Sequence, residues 1–188
     1  MDFLMTPFLI IIAAPILLIS ALSVRIDSPG PIFYLQERVG YRGKIFSIFK
    51  FRTRTHDTNA GNEHLLEVLK TADPSRGQYK TGMEKRITKT GKILRKTSLD
   101  ELPQLFSVML GHISLVGPRP HTVEEVSLFP KKYALRHEVP PSMTRLWQIS
   151  GRNKLSPIQM LDLDLEYVTP ASIGRYFHIL VATIPAVL

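Results

Sequence analysis

The chain has 188 residues and no cysteine, so disulfide staples and thiolate metal sites are excluded. Its six histidines are scattered (His56, His64, His112, His121, His137 and His178), without the spacing of a zinc motif. Acid is scarce as well: 16 Asp+Glu stand against 24 Lys+Arg, a net charge of +8. A surface so short of carboxylates attracts anions, whether phosphorylated small molecules, lipid headgroups or nucleic acid. The length suits one domain with a sizeable core and leaves little room for a second.

One stretch lacks charge altogether. Phe3–Val24 reads FLMTPFLIIIAAPILLISALSV, 22 residues, against the ~20 that cross a bilayer. A secretory signal peptide fits it poorly, since no basic segment precedes it and the apolar run is too long. Arg25, Arg38, Arg42 and Lys44 follow closely, so the positive-inside rule keeps the remainder of the chain in the cytoplasm. Pro15 falls near the middle and removes a helical hydrogen bond. Each half, at ~1.5 Å per residue, covers about 15 Å, half a hydrocarbon core. A kinked spanning helix and a helix that bends at Ala14–Pro15 and returns to the same face both fit.

Pro29-Gly30-Pro31 marks a turn. Lys44–Thr53 alternates and is rich in Phe and Ile, which predicts a strand with Lys50, Arg52 and Arg54 on one face. That face is either a solvated edge or an anion contact. Residues 55–82 are polar and irregular, with a short helical patch, EHLLEVLK, and read as a surface excursion or lid. Lys80–Lys96 carries seven basic residues against Glu84; beside a membrane segment such a run suits anionic headgroups.

The most informative stretch is TSLDELPQLFSVMLGHISLVGPRP. Ser98 and Glu101 have the spacing of a capping box. That register leaves Pro103 deep in the first turns, where an N–H is needed. A start near Asp100 to Leu102 lets Pro103 sit where its missing N–H costs nothing, with a helix over Pro103–Leu110 and Gly111 as its stop. Asp100 and Glu101 then stand at the helix N-terminus, ionised and ready to bind Mg²⁺ or act as nucleophile. Capping and chemistry both remain open from spacing alone. Further on, Gly117-Pro118-Arg119-Pro120 is a stiff turn presenting a guanidinium, suited to phosphate or simply solvated. Arg152 follows Gly151 in another turn. In LDLDLEYV, a strand puts Asp162, Asp164 and Glu166 on one face, whereas a helix pairs Asp162 with Glu166. After Arg175, YFHILVATIPAVL is too short to span and reads as core or interfacial.

Taken in order, the mid-point proline, DSPGPIFYLQERVG, FKFRT, TSLDELPQLF, SLVGPRP, SGRN and LDLDLEYV resemble the bacterial sugar transferases. These are monotopic polyprenyl-phosphate phosphoglycosyl transferases, and the resemblance covers nearly the whole chain. It implies transfer of a phosphosugar from a UDP-sugar to undecaprenyl phosphate, with release of UMP, through an aspartyl-phosphosugar and with Mg²⁺. Asp100 would be the nucleophile and Glu101 its partner at the metal. Lys50, Arg52, Arg119, Arg152 and Asp164 would serve substrate and phosphate. The implied architecture is α/β, mostly helical with few short strands. Residues 1–25 would form a re-entrant helix-break-helix with its break at Ala14–Pro15, and 26–188 a catalytic domain with interfacial helices. The site would lie on the cytoplasmic face of the bacterial inner membrane, among lipids. No nucleic-acid partner is expected, and a homo-oligomer is compatible with the pattern. A membrane-anchored Mg²⁺ phosphohydrolase using the same carboxylates is the alternative; a tethered nucleic-acid binder built on Lys50-Phe51-Arg52 is the remaining one.

The chain departs from the family pattern in places. Pro140-Pro141-Ser142-Met143-Thr144-Arg145 stands where RPGxTG is typical, replacing a basic residue and two glycines. Tyr176 stands where Asp is common, and no basic pair precedes Asp2.

Overall fold

The structure, a computed structural model, describes residues 1–55, 86–151, 154–169 and 172–187. The helical patch EHLLEVLK, nearly all of the polar excursion, the start of the basic run and Arg152 lie outside the described residues.

Helix α1 (Asp2–Asp27) runs through Pro7 and Pro15 as one element, so the expected break at Ala14–Pro15 is not an interruption here. Proline at position 15 withdraws one hydrogen bond, and the turns on either side carry the helix past it. At ~1.5 Å per residue it is about 39 Å long. Its buried residues are Thr6, Ala13, Ser20 and Val24, a stripe at steps of seven, seven and four. Its exposed residues include Phe3, Leu4, Phe8, Ile11, Ile12, Leu18, Ile19, Leu22 and Ile26. This inverts the usual surface helix, whose apolar face turns inward. Small side chains allow close approach to the body, and the bulky aliphatic face is left for a nonaqueous neighbour.

A hairpin follows, β1 (Phe33–Val39) with β2 (Ile45–Phe51), antiparallel and with Tyr34 opposite Lys50. The strand expected over Lys44–Thr53 is therefore present. Helix α2 (Lys89–Lys96), capped by Thr88, approaches the backbone after β2 so closely that a Cβ at Gly91 would lie 2.2 Å from the Thr53 carbonyl oxygen. A 3₁₀ turn at Leu99–Glu101 leads into α3 (Gln104–Met109), which starts after Pro103 and stops before Gly111 at φ 76°. The capping-box alternative is not realised: Ser98 sits at φ 56° and makes no side-chain cap.

Strand β3 (Ser114–Val116) pairs in parallel with β4 (Ser142–Thr144), Val116 opposite Thr144. Between them lie α4 (Val123–Ser127) and a 3₁₀ stretch, Lys131–Glu138. Gly117 is needed where the two chains close up, since a Cβ there would meet the Pro140 carbonyl oxygen at 2.9 Å. Helix α5 (Leu146–Ile149) follows, then α6 (Pro157–Val168) and α7 (Ile173–Val187). LDLDLEYV is thus helical, opened by a Ser156/Gln159 capping box with Pro157 in the first turn.

The core joins Ala13 of α1 to Ile48, Leu105, Val108, Leu115, Val116, Tyr167 and Ile179; a second cluster joins Val24 to Phe51 and Leu94. Helix α7 buries Ile179 and Thr183 and exposes Ile173, Phe177, Val181 and Ile184 at helical spacing, one apolar face in and one out. The mostly helical architecture with few short strands is as expected.

Candidate active site

Two distant segments converge on Glu101. Lys50, near the end of β2, places Nζ 2.7 Å from Glu101 Oε1. Arg145, the residue after β4, brings a guanidinium nitrogen to 3.9 Å from Oε2. Burial alone would raise the Glu101 carboxyl, yet Lys50 and Arg145 bring it down to about 2. Its neighbour behaves oppositely. Burial, then the Glu101 charge, push Asp100 up to about 6, against the pull of Lys50 and Arg95. Among the described residues Asp100 forms no ion pair of its own. Two adjacent carboxylates thus have different states: one is held by cations, the other is ionised at neutral pH and under strain from its neighbour.

Arg119 is fixed through its backbone. Asp164, buried on α6, accepts from the Arg119 N–H at 3.2 Å, and Arg136 donates to the Arg119 carbonyl oxygen at 2.6 Å. Arg136 and Asp164 form a buried pair at 2.6 Å. Burial raises the Asp164 carboxyl, with Arg136 and the Arg119 amide acting against it. The other flank of the turn is tied to β1: Arg38 donates to the Pro120 carbonyl oxygen at 3.2 Å and reaches Glu125 at 3.4 Å. Glu125 accepts from the Thr122 N–H at 2.9 Å and lies 3.1 Å from His121 Nδ1. Burial lowers His121 to about 3 and leaves it neutral, a donor to Glu125. The Arg119 guanidinium itself lies 6.0 Å from the centre of the Trp147 indole; Arg145 lies 5.4 Å from the same ring.

The structure therefore brings Asp100, Glu101, Lys50 and Arg119 together and places Asp164 behind Arg119. Arg52 is elsewhere: buried, it donates to the Ser28 and Pro29 carbonyl oxygens at 2.7 and 2.6 Å. Because β2 ends at Phe51, Lys50 and Arg52 reach different partners. Arg152 lies outside the described residues. Asp162 and Glu166 face outward, toward Tyr133 at 2.8 Å and toward Arg175. Arg145, Arg136 and Trp147 were not picked out as site residues by sequence reasoning. A buried arginine looks like a surface arginine in one dimension; the signals available were the lone tryptophan shortly before SGRN and the departure from RPGxTG at Arg145.

Among the described residues no third acidic or histidine side chain joins Asp100 and Glu101 as a metal cage. Two carboxylates alone are nevertheless the donor set Mg²⁺ takes when substrate phosphates and water complete its shell. Burial first and the Glu101 charge second raise the Asp100 carboxyl, and a cation would relieve both, so the residues fit that ion.

Known proteins resemble this chain over nearly its whole length. The family model for bacterial sugar transferase matches residues 1–188. The chain is 38% identical over 181 residues to the uncharacterized sugar transferase EpsL of Bacillus subtilis, covering 96% of this chain and 82% of that protein. It is 35% identical over 190 residues to the exopolysaccharide production protein ExoY of Sinorhizobium fredii, covering 99% and 83%. It is also 34% identical over 191 residues to the UDP-glucose:undecaprenyl-phosphate glucose-1-phosphate transferase of Escherichia coli, covering 97% of this chain and 38% of that longer protein.

Proposed function

This chain belongs to the bacterial sugar transferase family, and on that premise we propose that it moves a sugar-1-phosphate from a UDP-sugar onto undecaprenyl phosphate, releasing UMP. The observation that carries the reading is the division of labour in the acidic pair. Glu101 is neutralised by Lys50 and Arg145, whereas Asp100 keeps a carboxylate that no ion pair among the described residues occupies.

An Asp100 carboxylate oxygen attacks the sugar-bearing phosphorus, and the bond to the UMP oxygen breaks, leaving an aspartyl-phosphosugar. No base is required, since Asp100 is ionised above pH ~6. Lys50 and Arg119 offset the charge on the phosphoryl oxygens. A polyprenyl-phosphate oxygen then attacks the same phosphorus, and Asp100 leaves as the carboxylate it was. Asp100 and Glu101 would hold Mg²⁺, which supplies charge neutralisation at the diphosphate. Asp164 and Arg136 keep Arg119 in place.

The site belongs at the cytoplasmic face of the bacterial inner membrane, with both ends of α1 on that side and its exposed apolar face in lipid. Both ends of α1 support this. Asp2 accepts from the Tyr176 hydroxyl and lies 3.5 Å from the Leu115 N–H, while Asp27 accepts from the Thr90 N–H at 2.8 Å. A helix tied at both ends to one body lies along it rather than projecting from it. The apolar outer face of α7, next to Asp2 through Tyr176, continues the same lipid-facing side.

The test is UMP release by the full chain in nanodiscs across a panel of UDP-sugars, beginning with UDP-glucose and UDP-galactose. Release that depends on undecaprenyl phosphate, with an Asp100 adduct by intact mass spectrometry when donor alone is supplied, is the expected result. Continuous release of UMP without acceptor would point to a phosphohydrolase instead.

A further inference from the structure

Arg145 has a role that its ion pair with Glu101 does not exhaust. Strands β3 and β4 run parallel with Val116 opposite Thr144, and the Gly117 N–H donates to the Thr144 carbonyl oxygen at 3.1 Å. The residues following each strand therefore leave the sheet at the same end. That is how Arg119 and Arg145 reach one indole, that of Trp147.

Arg145 is 3% exposed, a guanidinium withdrawn from water. Such a charge is expensive unless its donors are taken. Among the described residues most are not. Of five N–H donors, these residues engage one clearly, through the Ser142 carbonyl oxygen at a long 3.4 Å. Nε is buried with no partner among them. The Glu101 oxygen at 3.9 Å is beyond hydrogen-bond reach. Lys50 already takes the other Glu101 oxygen at the shorter distance. Around the acidic pair the cations Lys50, Arg119 and Arg145 outnumber Asp100 and Glu101. An unfilled donor fork beside a surplus of positive charge matches a planar or tetrahedral oxyanion.

We propose that Arg145 is a binding residue for the diphosphate of the nucleotide-sugar donor, completing with Lys50 and Arg119 a three-cation cradle beside Trp147. The proposal rests on the donor class assigned above, and it concerns a position where this chain departs from its family's pattern. On this reading Arg145 contributes to holding the donor before chemistry begins.

The experiment uses the full chain in nanodiscs as wild type, Arg145→Met and Arg145→Lys, each checked for its melting temperature by circular dichroism. UDP affinity is measured by calorimetry, and KM and kcat by UMP release. Arg145→Met is expected to weaken UDP and raise KM by roughly 10- to 100-fold, the loss of one charge-assisted contact, with kcat changed far less. Arg145→Lys is expected to recover part of the affinity. Should Arg145→Met not fold, Arg145→Gln is judged by the same criterion. Unchanged UDP affinity in a folded charge-free variant overturns the proposal, and so does a fall in kcat at constant KM, which would make Arg145 a support for Glu101 alone. The titration needs no turnover. A wild type that binds UDP but releases no UMP from any donor would sink the transferase reading and leave this inference standing on its own result.

Discussion

Replacing Asp100 with asparagine keeps the side chain's shape and removes its charge. Folded, this carboxyl titrates at about 6 against an ordinary 3.8. Above pH 6 the native state therefore holds a charge that the unfolded chain carries more cheaply. The cost is complete above pH 6, shrinks as pH falls toward 3.8, and is absent below it. About two units at 1.36 kcal/mol each set a ceiling of ~3 kcal/mol; with solvent screening, about 1–3 kcal/mol is expected. For a chain of this size that corresponds to a rise in Tm of roughly 2–10 °C at pH 7.5. Asp100→Asn should thus melt higher than wild type at pH 7.5 in EDTA, and the two should converge at pH 4. UMP release should fall by about 10³-fold or more, as for a lost nucleophile. A variant that melts at or below wild type at pH 7.5 refutes the electrostatic argument. One that still turns over near the wild-type rate refutes the assignment of Asp100.

Breaking the buried Arg136–Asp164 pair with Asp164→Asn or Arg136→Met should cost about 3–5 kcal/mol, because one charge is left uncompensated; the double variant should melt higher than either single one in a circular dichroism comparison. His121 folds with its imidazole at about 3 rather than 6.5, so the unfolded chain takes a proton first and stability falls as pH drops below about 6.5. His121→Gln, which can still donate to Glu125, should flatten the decline of Tm between pH 6.5 and 4.5; an unchanged slope would locate the acid sensitivity elsewhere. The absence of cysteine allows a single one to be added between Met1 and Asp2. It should react with an impermeant maleimide only from the cytoplasmic side in oriented vesicles, and reaction from outside would establish a spanning helix.

Much of this was legible before any coordinates. Alternation with Phe and Ile marked β2, and the position of Pro103 fixed the start of α3 against the competing capping box. A second obstacle to that box is one no local pattern contains: Glu101 is taken by Lys50, 51 positions away. The acids of LDLDLEYV fitted two periods equally, although Ser156-Pro157-Ile158-Gln159 already carried a helix start. The cationic side of the site was half visible. Arg119 announced itself between two prolines and Arg145 by standing where the family pattern has glycine, whereas Arg136 carries no local signal. What buries Arg136 and Arg145 is the meeting of β4, α6 and the 3₁₀ stretch, a tertiary event. Asp164 was singled out from the family pattern, and its contacts show it gripping the turn that carries Arg119.

The stripe Thr6–Ala13–Ser20–Val24 has a consequence for handling and for catalysis. Ala13 and Val24 are bricks in two separate interior walls, so clipping away the greasy segment would lay bare Leu105, Val108, Phe51 and Leu94 instead of liberating a water-soluble enzyme. Under the proposed function, the acidic pair would ride at one fixed height over the lipid, without a leash, and a long-chain acceptor would have to drift sideways until its head met Asp100.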